Sequence, residues 1–277
     1  MKASVGICAH NEEETIGKLI DQIMEEQVPV RQVVVVVAGD DDTEEIVRTK
    51  MDSHQEVEIV LEGERRGQSA AQNEIFKRAS EDMLFMIDGD GLIKSGSLEA
   101  LWEENDGNSI LYGREIPETP DNLSGSIIDH FWIMHHELSL RQPKYTTQIA
   151  LQPTDLINHI PKDIVIDDEY IGQRAVKNGL KIKYVPEAVK FHNIKGDLKS
   201  FRRHRRKNWA GMFQIQRDED ETLQSTGLKA KFYLKNLFTG GPTKLVYSLL
   251  LGIIEISSFI GGLKDAIQDD WPYKWKR

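Results

Sequence analysis

The chain has 277 residues, of which 35 are lysine or arginine and 45 are aspartate or glutamate, giving a formal net charge of −10. Hydrophobic residues make up 39% of the sequence, too many for a disordered chain and enough for one large or two smaller domains. The acidic balance argues against nucleic acid as a partner, because general nucleic-acid binders carry a net basic surface. The single cysteine, Cys8, excludes an internal disulfide framework and fits a reducing compartment.

The first half of the chain alternates between strand and helix patterns. Four short apolar runs predict strands, and they lie at residues 3–9, 33–37, 57–61 and 83–87. Helices are predicted between them over residues 12–24, 41–51 and 67–79. The consecutive valines at 33–37 are typical of a strand covered on both faces, and Asn11 with Glu14 three residues later is typical of a helix N-cap. This alternation predicts a three-layer α/β unit with right-handed crossovers.

The second half is less regular. Strands are predicted at residues 109–113, as a sheet edge, at 145–151, and at 181–185, where Pro186 ends the run. Helices are predicted around residues 127–138, at 168–178 before Gly179, and at 198–216. Nothing in this half has the composition of a linker, so we expect one mixed-sheet domain to about residue 217 and a C-terminal appendage beyond it.

The triplet Asp88-Gly89-Asp90 directly follows the predicted buried strand at 83–87. In open α/β sheets, ligands bind in the crevice beyond the carboxyl ends of the strands. Two carboxylates there, with a glycine that allows close backbone approach, suit a hard divalent cation such as Mg²⁺ or Mn²⁺ that bridges to phosphates. The alternative interpretation is an ordinary surface turn, in which aspartate and glycine are common.

A second acidic cluster, Asp167-Asp168-Glu169, lies at the start of a predicted helix. The helix dipole favours carboxylates at that position, which alone accounts for one or two of them. Three in a row exceed what capping requires, and neighbouring like charges favour a carboxylate that accepts a proton. The cluster is therefore a candidate for a general base.

Residues 202–207 carry five arginines and lysines in six positions, within the segment FRRHRRKNWAG. In an acidic protein such a patch faces negative charge, and the candidates are a diphosphate, an anionic membrane surface and the protein's own carboxylates. A solvated basic face is the other alternative. Trp209 either stacks on a ring or packs in the core. The lone His192 is either a ligand or a structural histidine. Arg65 and Arg66 either approach phosphates or lie at the start of a helix.

Taken in order, these motifs resemble the inverting glycosyltransferases of family 2, which have the nucleotide-diphospho-sugar transferase (GT-A) fold. The segments that carry the resemblance are ICAHNEE, VVVVVAGDDDTEEIV, RRGQSAAQNEIF, FMIDGDGLI, IDDEYIGQRAVKNGLKIKYVPEAVKFH and HRRKNWAG. They extend over roughly residues 3–211. The resemblance implies a three-layer, mixed and mainly parallel sheet, with a nucleotide-sugar half over residues 1–115 and an acceptor half over 116–217.

The resemblance also implies a role for each candidate site residue. The donor, a nucleotide-diphospho-sugar, is expected to contact Ala9, His10, Glu12, Asp41, Asn73 and Asp88. Mn²⁺ or Mg²⁺ on the diphosphate is expected to bind Asp90 and His192. Asp168 is the implied general base, and Arg205, Arg206 and Trp209 are implied near the acceptor or the donor phosphates.

The sequence departs from the family pattern at several of these positions. Cys8 replaces the usual proline, His10 the usual aromatic residue and Gln68 a common lysine, so the nucleobase is not assigned. The family's Q-x-x-R-W region is altered to HRRKNW, with Asn208 separating arginine from tryptophan. That alteration argues against a processive polysaccharide synthase.

Three functions remain to be compared. The first is a metal-dependent inverting transferase that moves a hexose to an acceptor hydroxyl or lipid phosphate. The second, a sugar-phosphate nucleotidylyltransferase, is disfavoured because the first strand is not followed by a glycine- and arginine-rich nucleotide loop. The third, a non-catalytic nucleotide-sugar-binding membrane scaffold, is disfavoured because Asp88, Asp90 and Asp168 are all present.

The C-terminal segment, residues 218–277, has two features of membrane association. Residues 227–238 place lysines among apolar residues at helical spacing, as in a helix on an anionic lipid surface. Residues 245–263 form an apolar run close to the length that spans a bilayer, although Glu255 falls near its centre.

A stripe of small and polar residues on this run consists of Ser248, Gly252, Glu255 and Gly262. Such a stripe faces the enzyme body, a twin helix or water. We expect the enzyme to be peripheral or single-helix anchored at the cytoplasmic membrane face, beside a lipid-linked or membrane-proximal acceptor. The alternative is the buried C-terminal helix of a soluble protein.

Overall fold

The structure is a computed structural model, and it describes residues 1–63, 66–193, 197–219, 232 and 241–268. The chain forms two compact units. The first comprises Met1–Ile116, Tyr145–Lys162 and Ile171–His192, and the second comprises Pro117–Lys144, Asp163–Tyr170 and Asn193–Arg277. Arg65 and nearly all of the predicted helix at 227–238 lie outside the described residues.

The first unit is built on an eight-stranded sheet. Its strands are β1 (Ala3–His10), β2 (Val30–Ala38), β3 (Val57–Leu61), β4 (Met83–Asp88), β5 (Gly91–Ile93), β6 (Ser109–Glu118), β7 (Ile149–Pro153) and β8 (Lys181–Asn193). Their order across the sheet is β3-β2-β1-β4-β7-β6-β8-β5. Strands β1 to β4 pair in parallel, whereas β7 runs antiparallel to β4 and β6, and β5 antiparallel to β8. The predicted mixed, mainly parallel sheet is confirmed.

Four helices connect or follow these strands, namely α1 (Ile16–Glu25), α2 (Thr43–Ser53), α3 (Gln68–Arg78) and α4 (Ser97–Glu103). The apolar face predicted for α1 is the face that the structure buries, at Ile16, Leu19, Ile20 and Ile23. The five consecutive valines of β2, at 33–37, are all buried, because β2 lies between β1 and β3 and its side chains are covered on both faces.

Several local predictions are wrong, each because a distant part of the chain intervenes. Asn11 is not an N-cap: α1 begins at Ile16, and Asn11 adopts a left-handed φ of 58° while its side chain hydrogen-bonds Asp40 in both directions. Strand β6 is not an edge, since it lies between β7 and β8. Strand β8 continues through Pro186 to Asn193, because proline removes one donor but tolerates extended backbone.

The second unit is mainly helical. It contains α5 (Leu123–Ser139), the first turn of α6 (Asp167–Lys177), α7 (Leu198–Glu219) and α8 (Gly241–Gln268). Helices α5, α7 and α8 share an apolar cluster that includes Phe131, Phe201 and Leu251. Helices α7 and α8 pack closely, and a Cβ on Gly262 would come within 2.7 Å of the Ala210 backbone nitrogen. Gly262 is therefore the point at which the two helices approach each other.

Candidate active site

The predicted crevice at the carboxyl ends of β1 and β4 is formed by two loops held together by hydrogen bonds. Gly89 donates its N–H to the carbonyl of Cys8 at 2.9 Å. A Cβ on Gly89 would lie within 2.9 Å of that same oxygen, so glycine permits the approach. The Thr15 hydroxyl, just before α1, donates to the Gly89 carbonyl at 2.8 Å. The loop that contains Asp88 and Asp90 is thus fixed against β1 and α1.

Asp88 is held by two glutamines. Gln148 Nε2 donates to Asp88 Oδ2 at 2.7 Å, and Gln68 Nε2 donates to the same oxygen at 3.2 Å. Gln68 lies at the start of α3 and Gln148 just before β7. The carboxylate of Asp88 is therefore oriented by neutral donors from two separate elements.

Asp90 is held by a buried lysine. It precedes β5, whose pairing with β8 places Gly91 opposite His192 and Ile93 opposite Lys190. Lys190 Nζ forms an ion pair with Asp90 and donates to Gln148 Oε1 at 2.7 Å. The side chain of Lys190 has no exposed surface. The two carboxylates of the triplet are thus linked through Lys190 and Gln148.

Burial and charge at this site together shift three pKa values. Burial would raise the pKa of Asp90, but the charge and hydrogen bond of Lys190 outweigh burial and hold that pKa below its ordinary value. Burial lowers the pKa of His192 to about 4, against the opposing charge of Asp90, so its imidazole is neutral at pH 7. Burial, followed by the negative charge of Asp90, raises the pKa of Glu12 to about 7.

The raised pKa of Glu12 predicts a pH-dependent gain in stability for Glu12→Gln. The unfolded chain ionises Glu12 near its ordinary value of 4.5, so ionising it in the folded state costs stability as pH rises towards and through 7. In EDTA, the Tm difference between Glu12→Gln and the parent should therefore be more positive at pH 8 than at pH 5. Glu14→Gln, an exposed neighbour, is the control, and equal differences at both pH values would contradict the prediction.

The loops after β1 and β2 are tied together by Asp41. Its carboxylate accepts backbone N–H groups from Glu13 at 3.1 Å and from Thr43 at 3.1 Å. The Thr43 hydroxyl accepts the N–H of Glu12 at 2.7 Å. Burial would raise the pKa of Asp41, but hydrogen bonding from Thr43 outweighs burial and holds that pKa below its ordinary value. Asp41 therefore positions the backbone on which Glu12 is placed.

The other predicted donor-contact residues take different positions. Ala9 is buried with the apolar core of the sheet, and His10 is half-buried at the end of β1. The Asn73 amide bonds the backbone of Ile160 twice, donating to its carbonyl at 2.9 Å and accepting its N–H at 2.7 Å. In this structure Asn73 thus holds the loop around Ile160, and its contact with a donor stays a prediction.

The predicted metal ligands form a small donor set. Within the described ranges, no group of three or more His, Cys, Asp or Glu side chains is arranged to hold a metal ion. Asp90 supplies a carboxylate and His192 a neutral imidazole, and the two groups are close enough to interact electrostatically. Mg²⁺ at phosphate sites commonly uses one or two protein carboxylates together with phosphate oxygens. The residues therefore fit a cation bound jointly with a diphosphate.

In the second unit, α7 fixes the loop that leads to the acidic cluster. Gln214 accepts the N–H of Val165 at 3.0 Å and donates to the carbonyl of Asp163 at 2.7 Å. Asp168 lies half-buried in the first turn of α6, between the buried Asp167 and Glu169. The loop that leads to Asp168 is thus held by the side chain of Gln214, which lies 46 residues beyond Asp168 in the chain.

The basic patch faces carboxylates of α8. Arg205 donates to Glu255 at 2.6 and 3.2 Å, Trp209 Nε1 donates to Glu255 at 3.0 Å, and Arg206 forms a two-point ion pair with Asp265. Of the three partners left open by the sequence, the protein's own carboxylates account for these two arginines. Trp209 packs in the core with neighbours that include Val165 and Ile166. Contact of these residues with an acceptor or phosphate stays a prediction.

Three positioning residues were not identified from the sequence, namely Gln148, Lys190 and Gln214. Lys190 had a signal, since it lies two residues before His192 and side chains two apart on a strand share a face. Neither Gln148 nor Gln214 had such a signal in the sequence, because the hydrogen-bond partners of both glutamines lie far away along the chain.

Three solved structures that share this architecture are remote from the chain in sequence. The mannosyltransferase PcManGT from Pyrobaculum calidifontis, solved with GDP-Man and Mn²⁺, has a TM-score of 0.68 at 17% identity, over 97% of this chain and 88% of that chain. S. aureus TarS 1–349 with UDP-GlcNAc has a TM-score of 0.57 at 16% identity, over 97% and 81%. Glucosyl-3-phosphoglycerate synthase from Mycobacterium tuberculosis, solved with Mn²⁺, UDP and glucosyl-3-phosphoglycerate, has 0.53 at 16%, over 78% of each.

At these identities the likeness establishes the GT-A fold. A search of curated proteins gave no match. The sequence model of glycosyl transferase family 2 matches residues 4–157, which is more than half of the chain and includes β1 to β4 with the Asp88-Gly89-Asp90 loop. With this match and the GT-A architecture, the chain belongs to glycosyl transferase family 2 and is a glycosyltransferase.

Proposed function

We propose that the enzyme transfers a hexose from a nucleotide-diphosphate donor to an acceptor hydroxyl or a lipid phosphate, with inversion at the anomeric carbon. The observation that carries the proposal is the loop after β4, where Asp88 and Asp90 are held at the carboxyl end of a buried parallel strand. Ligands of α/β sheets bind at that edge. Two of the solved structures named above contain GDP-Man or UDP-GlcNAc, which supports the donor class.

We assign the donor to the loops of the first unit. The ends of β1 and β2, with His10, Glu12 and Asp41, would line the nucleoside side, and Asp88 would face the sugar or ribose. Asp90 and His192 would hold Mg²⁺ or Mn²⁺ together with the diphosphate. Such a cation supplies positive charge for the departing diphosphate.

The proposed base is Asp168. It would accept the proton of the acceptor hydroxyl as the oxygen attacks the anomeric carbon and the bond to the diphosphate breaks. A single displacement of this kind inverts the configuration. The half-buried position of Asp168, between two buried carboxylates, supports a group that exchanges a proton without being fully solvated.

The test of the function is donor turnover. Purified enzyme should release UDP or GDP from a nucleotide-sugar when extracted lipid is added, and NMR of the product should show inverted anomeric configuration. Retained configuration would contradict single displacement. Binding without release would favour the non-catalytic scaffold, and release of inorganic pyrophosphate from a nucleoside triphosphate with sugar phosphate would favour a nucleotidylyltransferase.

We also propose that α8 holds the enzyme on a membrane surface. Within the part of the chain that the structure describes, one helix, Gly241–Gln268, is long and apolar enough to cross a bilayer. Its polar residues Ser248, Glu255, Ser258 and Asp265 contact the other helices of the second unit. Its exposed residues include large apolar ones, led by Ile253, Ile256, Ile260 and Ile267 at 60–76% exposure, whereas Leu251 on the same helix is buried.

On α8, polar residues face the protein and large apolar residues are exposed. This arrangement is the reverse of that in an amphipathic surface helix of a soluble protein, and it suits a helix lying in the lipid headgroup region. The carboxylate of Glu255, which would oppose insertion, is paired with Arg205. A docked helix of this kind would present the enzyme at the cytoplasmic membrane face, to a lipid-linked acceptor.

Membrane binding should depend on the exposed isoleucines. We expect the parent to pellet with membranes and resist a high-salt wash. The triple variant Ile253→Gln, Ile256→Gln, Ile260→Gln should move to the supernatant, because each change removes apolar area from the lipid contact while the polar face remains. The control is Val176→Gln, at an apolar residue elsewhere that is 50% exposed. Parent protein found in the supernatant without detergent would contradict the proposal.

A further inference from the structure

The triplet Asp88-Gly89-Asp90 contains two carboxylates, and the ammonium group of Lys190 contacts one of them directly and is linked to the other through Gln148. Lys190 Nζ is ion-paired with Asp90 and bonds the oxygen of Gln148, whose amide nitrogen donates to Asp88. Lys190 is fully buried, whereas 44% of the Asp90 side chain is exposed. The ligand-accessible part of the pair is therefore Asp90, with the ammonium group behind it.

Burying a lysine ammonium is costly, and a buried ion pair is a weak source of stability. The neighbours of Lys190 on β8, Ala188 and Val189, are buried apolar residues that a packing role would favour at 190 as well. The ammonium group of Lys190 contacts the carboxylate of Asp90 and donates to the amide oxygen of Gln148. Packing alone therefore does not account for a charged residue at position 190.

We propose that Lys190 is the resident cation of the donor site. It neutralises Asp90 when no divalent cation is bound, it competes with a divalent cation for that carboxylate, and it gives nucleoside diphosphates a weak, metal-independent mode of binding. The proposal rests on the nucleotide-diphosphate donor proposed above, and it adds a residue that sets how strongly donor binding depends on metal.

The physical argument has two parts. A diphosphate that approaches Asp88 and Asp90 meets two negative charges, and the ammonium group cancels one of them. A divalent cation that approaches Asp90 meets a like charge already bound to its ligand, and this repulsion lowers its affinity. Removing the ammonium should therefore lower the affinity for a metal-free diphosphate and raise the affinity for a divalent cation. Loss of a purely structural lysine would not produce these opposite changes.

The first measurement is Mn²⁺ binding without nucleotide, followed by the EPR signal of free Mn²⁺. Lys190→Met keeps the length of the side chain and removes the charge, and we expect it to tighten Mn²⁺ binding by roughly tenfold or more. The control is Lys183→Met, the same change at an ion-paired lysine on the same strand, which should leave Mn²⁺ binding unchanged. Unchanged Mn²⁺ affinity in Lys190→Met would overturn the proposal.

The second measurement is calorimetric binding of UDP and GDP, in EDTA and in Mn²⁺. The parent should bind one of them in EDTA about 10–100-fold more weakly than in Mn²⁺, and Lys190→Met should weaken the EDTA binding by a further tenfold or more while retaining the Mn²⁺ binding. Lys190→Arg, which keeps the charge, should retain binding in EDTA.

The parent protein alone keeps the proposal falsifiable if Lys190→Met fails to fold. If the parent protein binds UDP or GDP in Mn²⁺ but neither of them in EDTA, the proposed role of Lys190 is overturned and the transferase function still stands. Absence of binding to either nucleotide in both buffers would overturn the donor assignment and the role of Lys190 together.

Discussion

Replacing Asp168 by asparagine is expected to lower kcat by about 10²–10⁴-fold while leaving donor affinity within about twofold. Asparagine keeps the shape of the side chain but does not accept the proton of the acceptor hydroxyl. The donor is assigned to the loops of the first unit, so its binding should not depend on this proton transfer. Steady-state kcat and a calorimetric donor Kd, measured on the same preparation, separate the two effects.

The neighbouring carboxylate provides the matched control. Asp167→Asn makes the same chemical change one residue earlier, at a side chain that is 7% exposed, and we expect a loss below about tenfold. A large loss confined to Asp167→Asn would move the base to Asp167. Losses below threefold in both variants would remove the general base from this cluster.

Removing the carboxylate of Glu255 is expected to lower the free energy of unfolding by about 2–4 kcal/mol. Glu255 accepts two hydrogen bonds from Arg205 and one from Trp209, and the side chains of the ion pair are only 12% and 16% exposed. Glu255→Leu would leave the largely buried charge of Arg205 without this partner. Denaturant unfolding in a mild detergent measures the difference.

A double-mutant cycle identifies the cause of that loss. The variant with both Arg205→Leu and Glu255→Leu should be more stable than the sum of the single losses predicts, because removing both charges leaves neither one buried alone. Lys264→Leu, an exposed change on the same helix, should have little effect. Strict additivity of the two single losses would show that the ion pair does not couple α7 to α8.

The sequence predicted the parallel half of the sheet well because its signals are local. The valines of β2 and the apolar face of α1 are buried by the elements next to them in sequence, so their spacing alone identified strand and helix. Local signals failed where a distant partner decides the conformation. The sequence around Asn11 is typical of an N-cap, but two hydrogen bonds to Asp40 hold it in a left-handed turn instead.

In the candidate site, too, local features were predictable from the sequence and contacts between distant residues were not. The triplet after β4 was recognisable because a strand followed by two aspartates has a definite position in an α/β sheet. The partner of Asp90 was not recognisable, since Lys190 lies 100 residues away and meets it only through the pairing of β5 with β8. Similarly, the sequence left open whether Arg205 faces a ligand or a carboxylate of the protein, because that depends on how α7 and α8 pack.

Two contacts made by helix α7 fix the number of residues that separate them. Arg205 contacts α8 and Gln214 holds the loop before α6, so one continuous helix separates the two contacts by nine residues, or about 14 Å. A helix turns about 100° per residue, so a single inserted residue between them would rotate Gln214 away from Val165. Homologous chains that keep both contacts should therefore tolerate substitutions between these positions far better than insertions or deletions.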